Sequence, residues 1–380
     1  MVGIGIIGCG ERILNVAKEL FAQSEELKLV AIYDPSEEAV QQGRAALGSE
    51  AKAYADYHGV VNDPKVDWVI IGSWNCFHAE QSIAALQAGK NVFCEKPLAT
   101  TLEDCLAIRE AVNKSGKQFA IGFTLRYSPH CRKLKEIIDA GTIGKIISME
   151  FNEMLPFNHG GYIHQNWRRK TQWAGTHLLE KCCHDLDLVN WYLDSLVSRV
   201  ASFGGVNFFI PENEYHIKRI GPGENGKEAF MGFPTADRSP FTTDKDIVDN
   251  QVVIMEFANG VRATFHTNCL AAIWERRMYI LGTEGTIRAD IYSSKIEVER
   301  IGWDPVRMVY DTAQGGGHGG SDPVLVRELA QFMLKGIEPK AGIEDGLKSA
   351  ITAFGIDKAN NEGRVVDMQS FWDRAGIPLK

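Results

Sequence analysis

Residues 2–13 read VGIGIIGCGERI, an apolar run that passes directly into a glycine-rich turn. The run predicts a buried strand and the turn predicts the start of a helix, which is the setting of a dinucleotide-binding βα unit. Glycines let the backbone approach a pyrophosphate, and the helix N-terminus adds unpaired N–H groups. The sequence therefore predicts a cofactor-binding turn, with a plain tight βα turn as the alternative. The predicted contacts are Gly8, Cys9, Gly10, Glu11, Arg12 and Ile13.

The first 123 residues alternate short apolar runs with amphipathic stretches, as strands do when helices cover both faces of a parallel sheet. The pattern predicts a helix over Phe77 to Ala88, closed by Gly89, and another that starts with capping spacing at Thr101. Residues 1–123 are therefore predicted to form a Rossmann-type, doubly wound parallel sheet. The predicted strands are Gly3 to Ile7, Leu29 to Asp34, Trp68 to Gly72, Asn91 to Cys94 and Gln118 to Gly122.

Residues 124–380 change to longer β segments, which predicts a second, α+β domain with a large, mostly antiparallel sheet for substrate binding and oligomerisation. The clearest feature is a hairpin from Val252 to Thr267 around Asn259-Gly260, a dipeptide that suits a type I′ turn. The stretch 212–249 is rich in Gly, Pro and charge and too long for a simple connection. It is expected to be a binding loop, a subunit arm or a lid.

Composition excludes several classes of protein. The 380 residues carry a net charge of −8 without a dense basic cluster, so nucleic acid is not an expected partner. No apolar run is long enough for a membrane span, and the start lacks signal-peptide features, so a cytoplasmic location is expected. The 8 cysteines are irregularly spaced and include no CxxC pair, which predicts reduced thiols and no metal site.

Asp34 ends the second predicted strand, where a carboxylate binds the ribose hydroxyls of a dinucleotide. It would repel a 2′-phosphate, so the sequence predicts NAD, with NADP less favoured. The alternative is an N-cap aspartate before Pro35.

Two further motifs follow predicted strands at the same sheet edge. Ser73, Trp74, Asn75 and His78 are predicted to contact the cofactor, with a capping role for Asn75 as the alternative. Glu95-Lys96-Pro97 follows the fourth predicted strand, and a cis Lys-Pro bond there is accessible at modest cost. Such a turn would hold Lys96 over the cofactor, and the alternative is a surface lysine at a strand end.

These residues resemble the Gfo/Idh/MocA oxidoreductases, a family that includes inositol dehydrogenases and glucose-fructose oxidoreductase. The resemblance covers nearly the whole chain, and its most specific stretch is Glu95-Lys96-Pro97. It rests on Gly8-Cys9-Gly10, on Asn75 with His78-Ala79-Glu80, on residues 88–98 (AGKNVFCEKPL) and on residues 282–286 (GTEGT).

The resemblance implies an acidic residue four positions before a histidine in the second domain, and Glu180 and His184 fit. On a predicted helix from His177 to Leu193 they would share one face. The family residue is more often Asp. A core histidine, or a metal site with Cys182 and Cys183, is the alternative. The resemblance further implies substrate contacts by Trp167 and Arg168, with Arg126 at the cofactor or substrate. The alternative for both arginines is a structural ion pair. The glycine-rich loop over 315–322, ahead of a helix over Pro323 to Leu334, resembles a segment of sugar-oxidising members, which implies that His318 contacts the substrate. The alternative is a flexible connector.

Oxidation of a secondary alcohol requires a hydride acceptor, a base and a positive group at the developing alkoxide. The motifs predict NAD for the first, His184 for the second and Lys96 for the third, with Glu180 orienting the imidazole. Lys96 and His184 can exchange roles, because desolvation lowers a lysine pKa. The expected substrate is an inositol, inosose, aldose or glycoside, and the expected assembly is a homodimer or homotetramer. The alternatives are an NAD-retaining glycoside-processing enzyme, a non-catalytic regulator and a structural protein with a vestigial site.

Overall fold

The structure is a computed structural model that describes residues 1–224, 226–231, 238–315 and 317–379. In chain order its strands are β1 (Val2–Ile7), β2 (Leu27–Tyr33), β3 (Lys52–Ala53), β4 (Trp68–Ile71), β5 (Asn91–Cys94), β6 (Phe119–Ile121), β7 (Ile146–Pro156), β8 (Val197–Gly205), β9 (Asn250–Phe257), β10 (Arg262–Ala271), β11 (Arg277–Gly282), β12 (Gly285–Asp290), β13 (Lys295–Arg300), β14 (Arg307–Asp311) and β15 (Val366–Asp367). Its α-helices are α1 (Glu11–Phe21), α2 (Glu37–Leu47), α3 (Tyr57–Val61), α4 (His78–Gln87), α5 (Leu102–Ser115), α6 (Pro129–Asp139), α7 (Phe157–Gln165), α8 (Thr171–Ala174), α9 (His177–Glu180), α10 (Cys183–Leu193), α11 (Tyr215–Ile220), α12 (Gly317–Lys335), α13 (Ile343–Glu362) and α14 (Gln369–Ala375).

The chain divides into two compact units. The first consists of Met1–Ser128 and Gln314–Ala350, and the second of Pro129–Ala313 and Ile351–Lys380. The sequence predicts a boundary at residue 124 with every later residue in the second domain, whereas the structure returns Gln314–Ala350 to the first unit. The reason is packing, because Leu325, Leu329 and Phe332 of α12 belong to the same buried apolar cluster as Ile4 and Trp68.

A six-stranded parallel sheet organises the first unit, in the order β3-β2-β1-β4-β5-β6. The predicted Rossmann sheet is therefore confirmed, and the predicted strand bounds agree with the observed ones within two residues. The sequence misses β3, which has only two exposed residues and no apolar pattern. The chain order reverses between β1 and β4, and ligands of such sheets bind at the carboxyl ends of the strands beside that reversal.

Two helix ends predicted from local sequence in the first unit are confirmed. Gly89 follows α4 with φ +75°, as a left-handed helix end requires. Thr101 caps α5, and its hydroxyl oxygen accepts the N–H of Asp104 at 3.1 Å.

A nine-stranded sheet organises the second unit, in the order β14-β13-β12-β11-β7-β10-β9-β8-β15. All neighbouring pairs are antiparallel except β7 with β10, so the predicted, mostly antiparallel sheet is confirmed. The predicted hairpin joins β9 to β10, but the type I′ turn is wrong. Gly260 has φ +84° whereas Asn259 is not among the positive-φ residues, and Gly260 N–H donates to the Phe257 carbonyl. This is a type I turn with a left-handed glycine, and Asn259 is held by Ser195 Oγ and the Leu193 carbonyl.

Two predicted helices have different bounds. The predicted helix from His177 to Leu193 is interrupted, because Cys182 has ψ 3° and the chain restarts as α10 at Cys183. The predicted loop before Pro323 is partly helical, since α12 is assigned from Gly317. Gly319 and Gly320 have φ +62° and +83°, so this first turn is not a regular α-helix. Pro323 therefore lies inside the helix rather than at its start.

Candidate active site

The glycine-rich turn after β1 has the shape that a pyrophosphate requires. Gly8 has φ +87°, and a Cβ there would lie 2.4 Å from the Ser73 amide nitrogen. Gly10 is the N-cap of α1, and a Cβ there would meet nothing within 4 Å. The backbone is thus open at the N-terminus of an 11-residue helix, where N–H groups and the helix dipole favour an anion. These residues fit a bound dinucleotide.

Ile13 shows how this turn tolerates a large residue in place of the usual small one. The side chain is buried, and its Cγ1 lies 1.9 Å from the position that a Cβ of Gly72 would occupy. Gly72 directly follows β4 and has no side chain, so the Ile13 side chain fits into the space that a Cβ at residue 72 would need. The helix therefore packs closely on the strand although Ile13 is large.

Asp34 follows β2 and is hydrogen-bonded to the glycine-rich turn. Its Oδ2 accepts the N–H of Cys9 at 2.7 Å, and its Oδ1 accepts the N–H of Ser36 at 2.8 Å. Ser36, not Asp34, caps α2. The Cys9 side chain is buried, and burial raises the pKa of its thiol to about 12, with a contribution from Asp34. Cys9 therefore faces the core, and only its backbone is available to a cofactor.

The segment after β4 divides into exposed and buried residues. Trp74 is 41% exposed, whereas Asn75 and His78 are buried. Asn75 begins a 3-10 turn whose N-cap is Trp74, so it does not cap α4. Ser73 Oγ donates to Gln81 Oε1 at 2.6 Å. Of the four residues predicted here to contact the cofactor, Trp74 has the most accessible side chain.

His78 supports the lysine turn rather than facing solvent. Its Nδ1 lies 2.8 Å from the Pro97 carbonyl oxygen, and its Nε2 lies 3.2 Å from that of Ser73. Burial lowers the pKa of this imidazole, so the neutral tautomer that donates from Nδ1 to Pro97 satisfies the shorter contact. The His78 ring thus links the loop after β4 to the lysine turn, and its contact with a cofactor stays a prediction.

Glu95-Lys96-Pro97 follows β5 at the same edge of the sheet. The Lys96–Pro97 peptide is cis, as the sequence allows. Glu95 is buried, and its Oε2 accepts the N–H of Lys96 at 3.3 Å. Lys96 is partly exposed beside these buried neighbours. The turn therefore presents one lysine from a fixed backbone.

The two arginines predicted to contact the cofactor are both ion-paired. Arg12 Nε lies 3.2 Å from Glu95 Oε1, and its Nη1 lies 2.8 Å from Asp322 Oδ1. Arg126 is buried, and its Nη2 lies 3.0 Å from Asp345 Oδ1. For Arg126 the structural ion pair that the sequence left open is present. Glu11, by contrast, is exposed at the first turn of α1.

In the second unit, Arg168 is the centre of a polar group with two aromatic neighbours. Its Nε donates to Glu180 Oε1 at 3.0 Å, and its Nη1 donates to Tyr162 Oη at 2.7 Å. Its guanidinium lies 4.4 Å from the Trp167 ring centroid and 5.1 Å from that of Tyr162, within the range of cation–π attraction. The structure thus brings Trp167, Arg168 and Glu180 together and adds Tyr162, for which the sequence offered no pairing signal.

Glu180 and His184 are separated by the break between α9 and α10. The predicted continuous helix that would stack them one turn apart is therefore wrong. Both side chains are buried. The Glu180 carboxylate accepts a hydrogen bond from Arg168 Nε, and its role in orienting the His184 imidazole stays a prediction.

A buried ion network lies next to His184 in the chain. Asp185 accepts both Nε and Nη2 of Arg276 at 2.7 Å, and Arg276 Nε lies 2.8 Å from Glu153 Oε2. Burial raises the pKa of Asp185 to about 6, although Arg276 opposes that shift. Because Glu153 lies on β7 and Arg276 directly precedes β11, the network fixes the start of α10 against the sheet.

The stretch 206–249, here called the excursion, is closed at its base by one carboxylate. Asp249 Oδ2 accepts the N–H groups of Phe208 and Phe209 at 2.8 Å and that of Asn207 at 3.1 Å. Its described part carries an aromatic cluster in which the rings of Phe230 and Phe241 lie 5.2 Å apart. Residues 225 and 232–237 of the predicted 212–249 segment lie outside the described residues.

The excursion holds the segment that carries Tyr162 and Arg168. On α7, Gln165 Nε2 donates to the Phe230 carbonyl at 2.6 Å, and Thr243 Oγ1 donates to the His164 carbonyl at 2.7 Å. A Cβ on Gly161 would lie 2.1 Å from the Phe230 carbonyl oxygen, so this glycine allows the approach.

Beyond α7, the excursion also holds the Trp167–Arg169 turn. Arg169 Nε donates to Asp244 Oδ1 at 3.0 Å, and the Thr171 N–H donates to Asp246 Oδ1 at 2.7 Å. The excursion thus holds the Arg168 segment in place through hydrogen bonds. The sequence alone did not indicate this contact.

The remaining predictions concern His318, metals and membranes. His318 lies in the first turn of α12, but Gly316 and the side chain of His318 are outside what is described. Among the described residues, no cluster of His, Cys, Asp or Glu is arranged to hold a metal ion. In the same part of the chain, no helix is both long enough and apolar enough to cross a membrane.

Comparison with known proteins adds two family matches. Residues 2–123 match a model described as an oxidoreductase family with an NAD-binding Rossmann fold, and residues 131–288 match the GFO/IDH/MocA C-terminal domain. Residues 2–123 are therefore an NAD-binding domain.

Curated relatives with similar sequences include two inositol dehydrogenases. An inositol 2-dehydrogenase/D-chiro-inositol 3-dehydrogenase of Lactiplantibacillus plantarum is 29% identical over 298 residues, covering 76% of this chain and 69% of that protein. Inositol 2-dehydrogenase of Salmonella typhimurium is 36% identical over 197 residues, covering 51% of this chain. In that second alignment the chain spans 54% of the relative's length.

Solved structures share the fold. Levoglucosan dehydrogenase in complex with NADH and levoglucosan superposes with a TM-score of 0.81 at 20% identity, covering 97% of this chain and 99% of that chain. The WlbA dehydrogenase from Bordetella pertussis, in complex with NADH and UDP-GlcNAcA, gives a TM-score of 0.73 at 20% identity, covering 96% and 98%.

Proposed function

The chain belongs to the Gfo/Idh/MocA family of oxidoreductases, and on that premise we propose that it transfers a hydride between NAD and a secondary alcohol of a cyclic polyol or sugar. One observation carries the proposal. The open backbone at Gly10 and the Glu95-Lys96-Pro97 turn lie at the carboxyl edge of one parallel sheet. The inositol dehydrogenases among the relatives favour an inositol or a related ring as the substrate.

The chain's own groups would divide the work of alcohol oxidation. NAD, when bound, supplies the hydride acceptor. The Lys96 ammonium stabilises negative charge on the substrate oxygen, and the His184 imidazole receives the hydroxyl proton. The opposite assignment, with Lys96 as the base, requires a lowered lysine pKa. A pH profile of kcat for Lys96→Arg, which keeps the charge but cannot act as a base near neutral pH, separates the two assignments.

The Arg168 group would bind the substrate ring. Arg168 uses Nε and Nη1 for Glu180 and Tyr162, which leaves Nη2 to donate to a substrate hydroxyl. Glu180 then acts on the substrate through Arg168, in addition to the predicted role of orienting the His184 imidazole. The Trp167 and Tyr162 rings beside the guanidinium offer apolar faces of the kind that stack on sugar rings.

Asp34 would select the cofactor. Its carboxylate is fixed by two backbone N–H groups, Cys9 and Ser36, so it cannot turn away from a 2′-phosphate without losing both bonds. Like-charge repulsion then disfavours NADPH. Fluorescence titration with NADH and NADPH tests this, and we expect NADH to bind at least about tenfold more tightly. Equal affinity for the two would contradict the assignment.

The open face of the nine-stranded sheet would pair with a second copy of the chain. Phe203 and Val252 are cross-strand partners with exposures of 73% and 45%, and Ile254 on the same strand face is 57% exposed. A contiguous exposed apolar face of this kind marks an interaction surface. Sedimentation velocity should show a dimer or tetramer, and Ile254→Glu should yield a smaller species.

The activity test is a screen of inositols, aldoses and glycosides with NAD and with NADP, followed by absorbance of the reduced cofactor. Reduction of NAD by a cyclic polyol is expected. Turnover of a glycoside without release of free NADH would instead identify the NAD-retaining reaction. A purified protein that binds NADH but turns over none of these compounds would identify a regulator.

A further inference from the structure

Arg12 lies within the dinucleotide turn, yet its guanidinium is committed elsewhere. Its Nε donates to Glu95 Oε1 at 3.2 Å, its Nη1 to Asp322 Oδ1 at 2.8 Å and its Nη2 to Thr124 Oγ1 at 2.9 Å. All three nitrogens of the planar fork thus have protein acceptors. Three of its five N–H groups are thus engaged, and these bonds fix the position of the guanidinium against the protein.

Glu95 connects Arg12 to the lysine turn. One carboxylate oxygen accepts from Arg12, and the other accepts the backbone N–H of Lys96 at 3.3 Å. The carboxylate lies against the end of β6, where a Cβ on Gly122 would be 2.6 Å from Glu95 Oε2. Glu95 is therefore held on one side by Arg12 and on the other by a glycine that leaves it just enough space.

Thr124 and Asp322 fix Arg12 in turn. Thr124 is buried after β6, and Asp322 is buried on α12. Burial lowers the pKa of the Arg12 guanidinium, but the charges of Glu95 and Asp322 outweigh this and raise it above the ordinary value. One guanidinium thus pairs with two carboxylates from separate elements, and charge-assisted bonds of this kind are stronger than neutral ones.

From these contacts we infer that Arg12 is a positioning residue for Lys96, acting through Glu95, and not a ligand of the cofactor phosphates. The inference rests on the proposed function, which makes Lys96 the group that meets the substrate. It explains why an arginine occupies a turn whose phosphate contacts come from backbone N–H groups. Lysine cannot replace it, because an ammonium has no planar fork to reach three acceptors at once.

The test uses Arg12→Lys and Arg12→Ala, with Lys18→Ala as the control. Lys18 is an exposed cation in the last turn of the same helix. For both Arg12 variants we expect kcat at saturating NAD to fall at least about tenfold, because small misplacements of catalytic groups are costly. The NADH dissociation constant, from fluorescence titration, should stay within about threefold of wild type, since no phosphate contact is lost.

Hydrogen exchange gives a readout that needs no substrate. The Lys96 amide is protected by Glu95, so releasing Glu95 should speed its exchange in the peptide spanning residues 94–98 by about tenfold or more. The peptide covering β4 should be unchanged, which shows that the sheet is intact. Unchanged exchange at Lys96 in both Arg12 variants would overturn the inference.

Three results separate this inference from the proposed function. An NADH dissociation constant raised more than about tenfold with kcat unchanged would make Arg12 a cofactor ligand and overturn the inference. A double-mutant cycle with Glu95→Gln should be non-additive, because the two residues act as a unit, and strict additivity in kcat would also overturn it. A wild-type protein without polyol activity would defeat the proposed function, whereas the binding and exchange measurements would still decide the role of Arg12.

Discussion

The Lys96 turn and the Arg168 group are held in place by different means. Lys96 is supported by residues that follow the ends of adjacent parallel strands, such as Glu95 itself and His78 after β4. Arg168 lies in a turn held by Asp244 and Asp246, whose bonds to Arg169 and Thr171 span 75 residues of chain. The first arrangement comes with the parallel sheet, whereas the second depends on an inserted segment. We therefore expect changes in the first to alter turnover and changes in the second to alter substrate affinity.

The largest expected effect is that of Lys96→Ala. Without the ammonium, kcat should fall about 10³-fold, the usual cost of losing an acid–base or charge-stabilising group. NADH affinity should change little, because the backbone of the turn remains. Stopped-flow reduction of NAD measures the rate, with Lys114→Ala, an exposed lysine on α5, as the control. Near wild-type turnover would contradict the expectation that the Lys96 turn determines kcat.

A smaller effect is expected in the Arg168 group, for the substitution Arg168→Lys. The substitution keeps the charge but cannot serve Glu180, Tyr162 and a substrate hydroxyl together. KM for the polyol should rise about 30-fold while kcat falls much less, because ground-state binding is lost. Steady-state kinetics at saturating NAD measures both constants. A fall in kcat with KM unchanged would show that Arg168 acts on the reacting atoms instead.

Asp246→Ala tests whether the excursion matters at a distance. The variant loses the bonds to the Thr171 N–H and hydroxyl, so the turn that carries Arg168 should loosen. We expect KM to rise about fivefold, less than for Arg168 itself, with NADH affinity unchanged. Asp311→Ala, at the end of β14, serves as a matched control. If KM stays at the wild-type value, the excursion does not position the substrate group.

The smallest expected effect concerns stability and pH at Asp357. Burial raises the pKa of this carboxyl to about 7, against 3.8 ordinarily, and the hydroxyl of Thr176 only partly opposes the shift. Between these values the folded state binds more protons than the unfolded state, so stability falls as pH rises through this window. Asp357→Asn removes this dependence. Its Tm relative to wild type should rise by about 3 °C between about pH 4 and about pH 8. A constant difference would contradict the shift.

The sequence predicts the parallel strands and the turns at their ends because its signals there are local. The apolar runs, the glycines at 8 and 10, Asp34 and the lysine turn each carry their meaning within a few residues. The same locality limits what the sequence can show. The turn predicts Arg12 as a cofactor contact, and nothing nearby indicates that Glu95, Thr124 and Asp322 receive its hydrogen bonds.

The second unit was less predictable for the same physical reason. The helical spacing of Glu180 and His184 did not reveal the break at Cys182, where ψ is 3°. Asn259-Gly260 suggested a type I′ turn, but contacts from Ser195 and Leu193 favour a different one. Arg168 pairs with Tyr162, and the excursion is hydrogen-bonded to the turn that carries Arg168. These are tertiary contacts between separate segments, and no local pattern encodes them.

The central claim is hydride transfer from a polyol carbon to NAD with Lys96 at the reacting oxygen. The most direct measurement uses myo-inositol deuterated at its ring carbons and reads the mass of the cofactor formed. We expect reduced NAD that carries one deuterium from the wild-type protein, and about a thousandfold less of it per unit time from Lys96→Ala. Reduced cofactor without deuterium, or equal rates from both proteins, would contradict the claim.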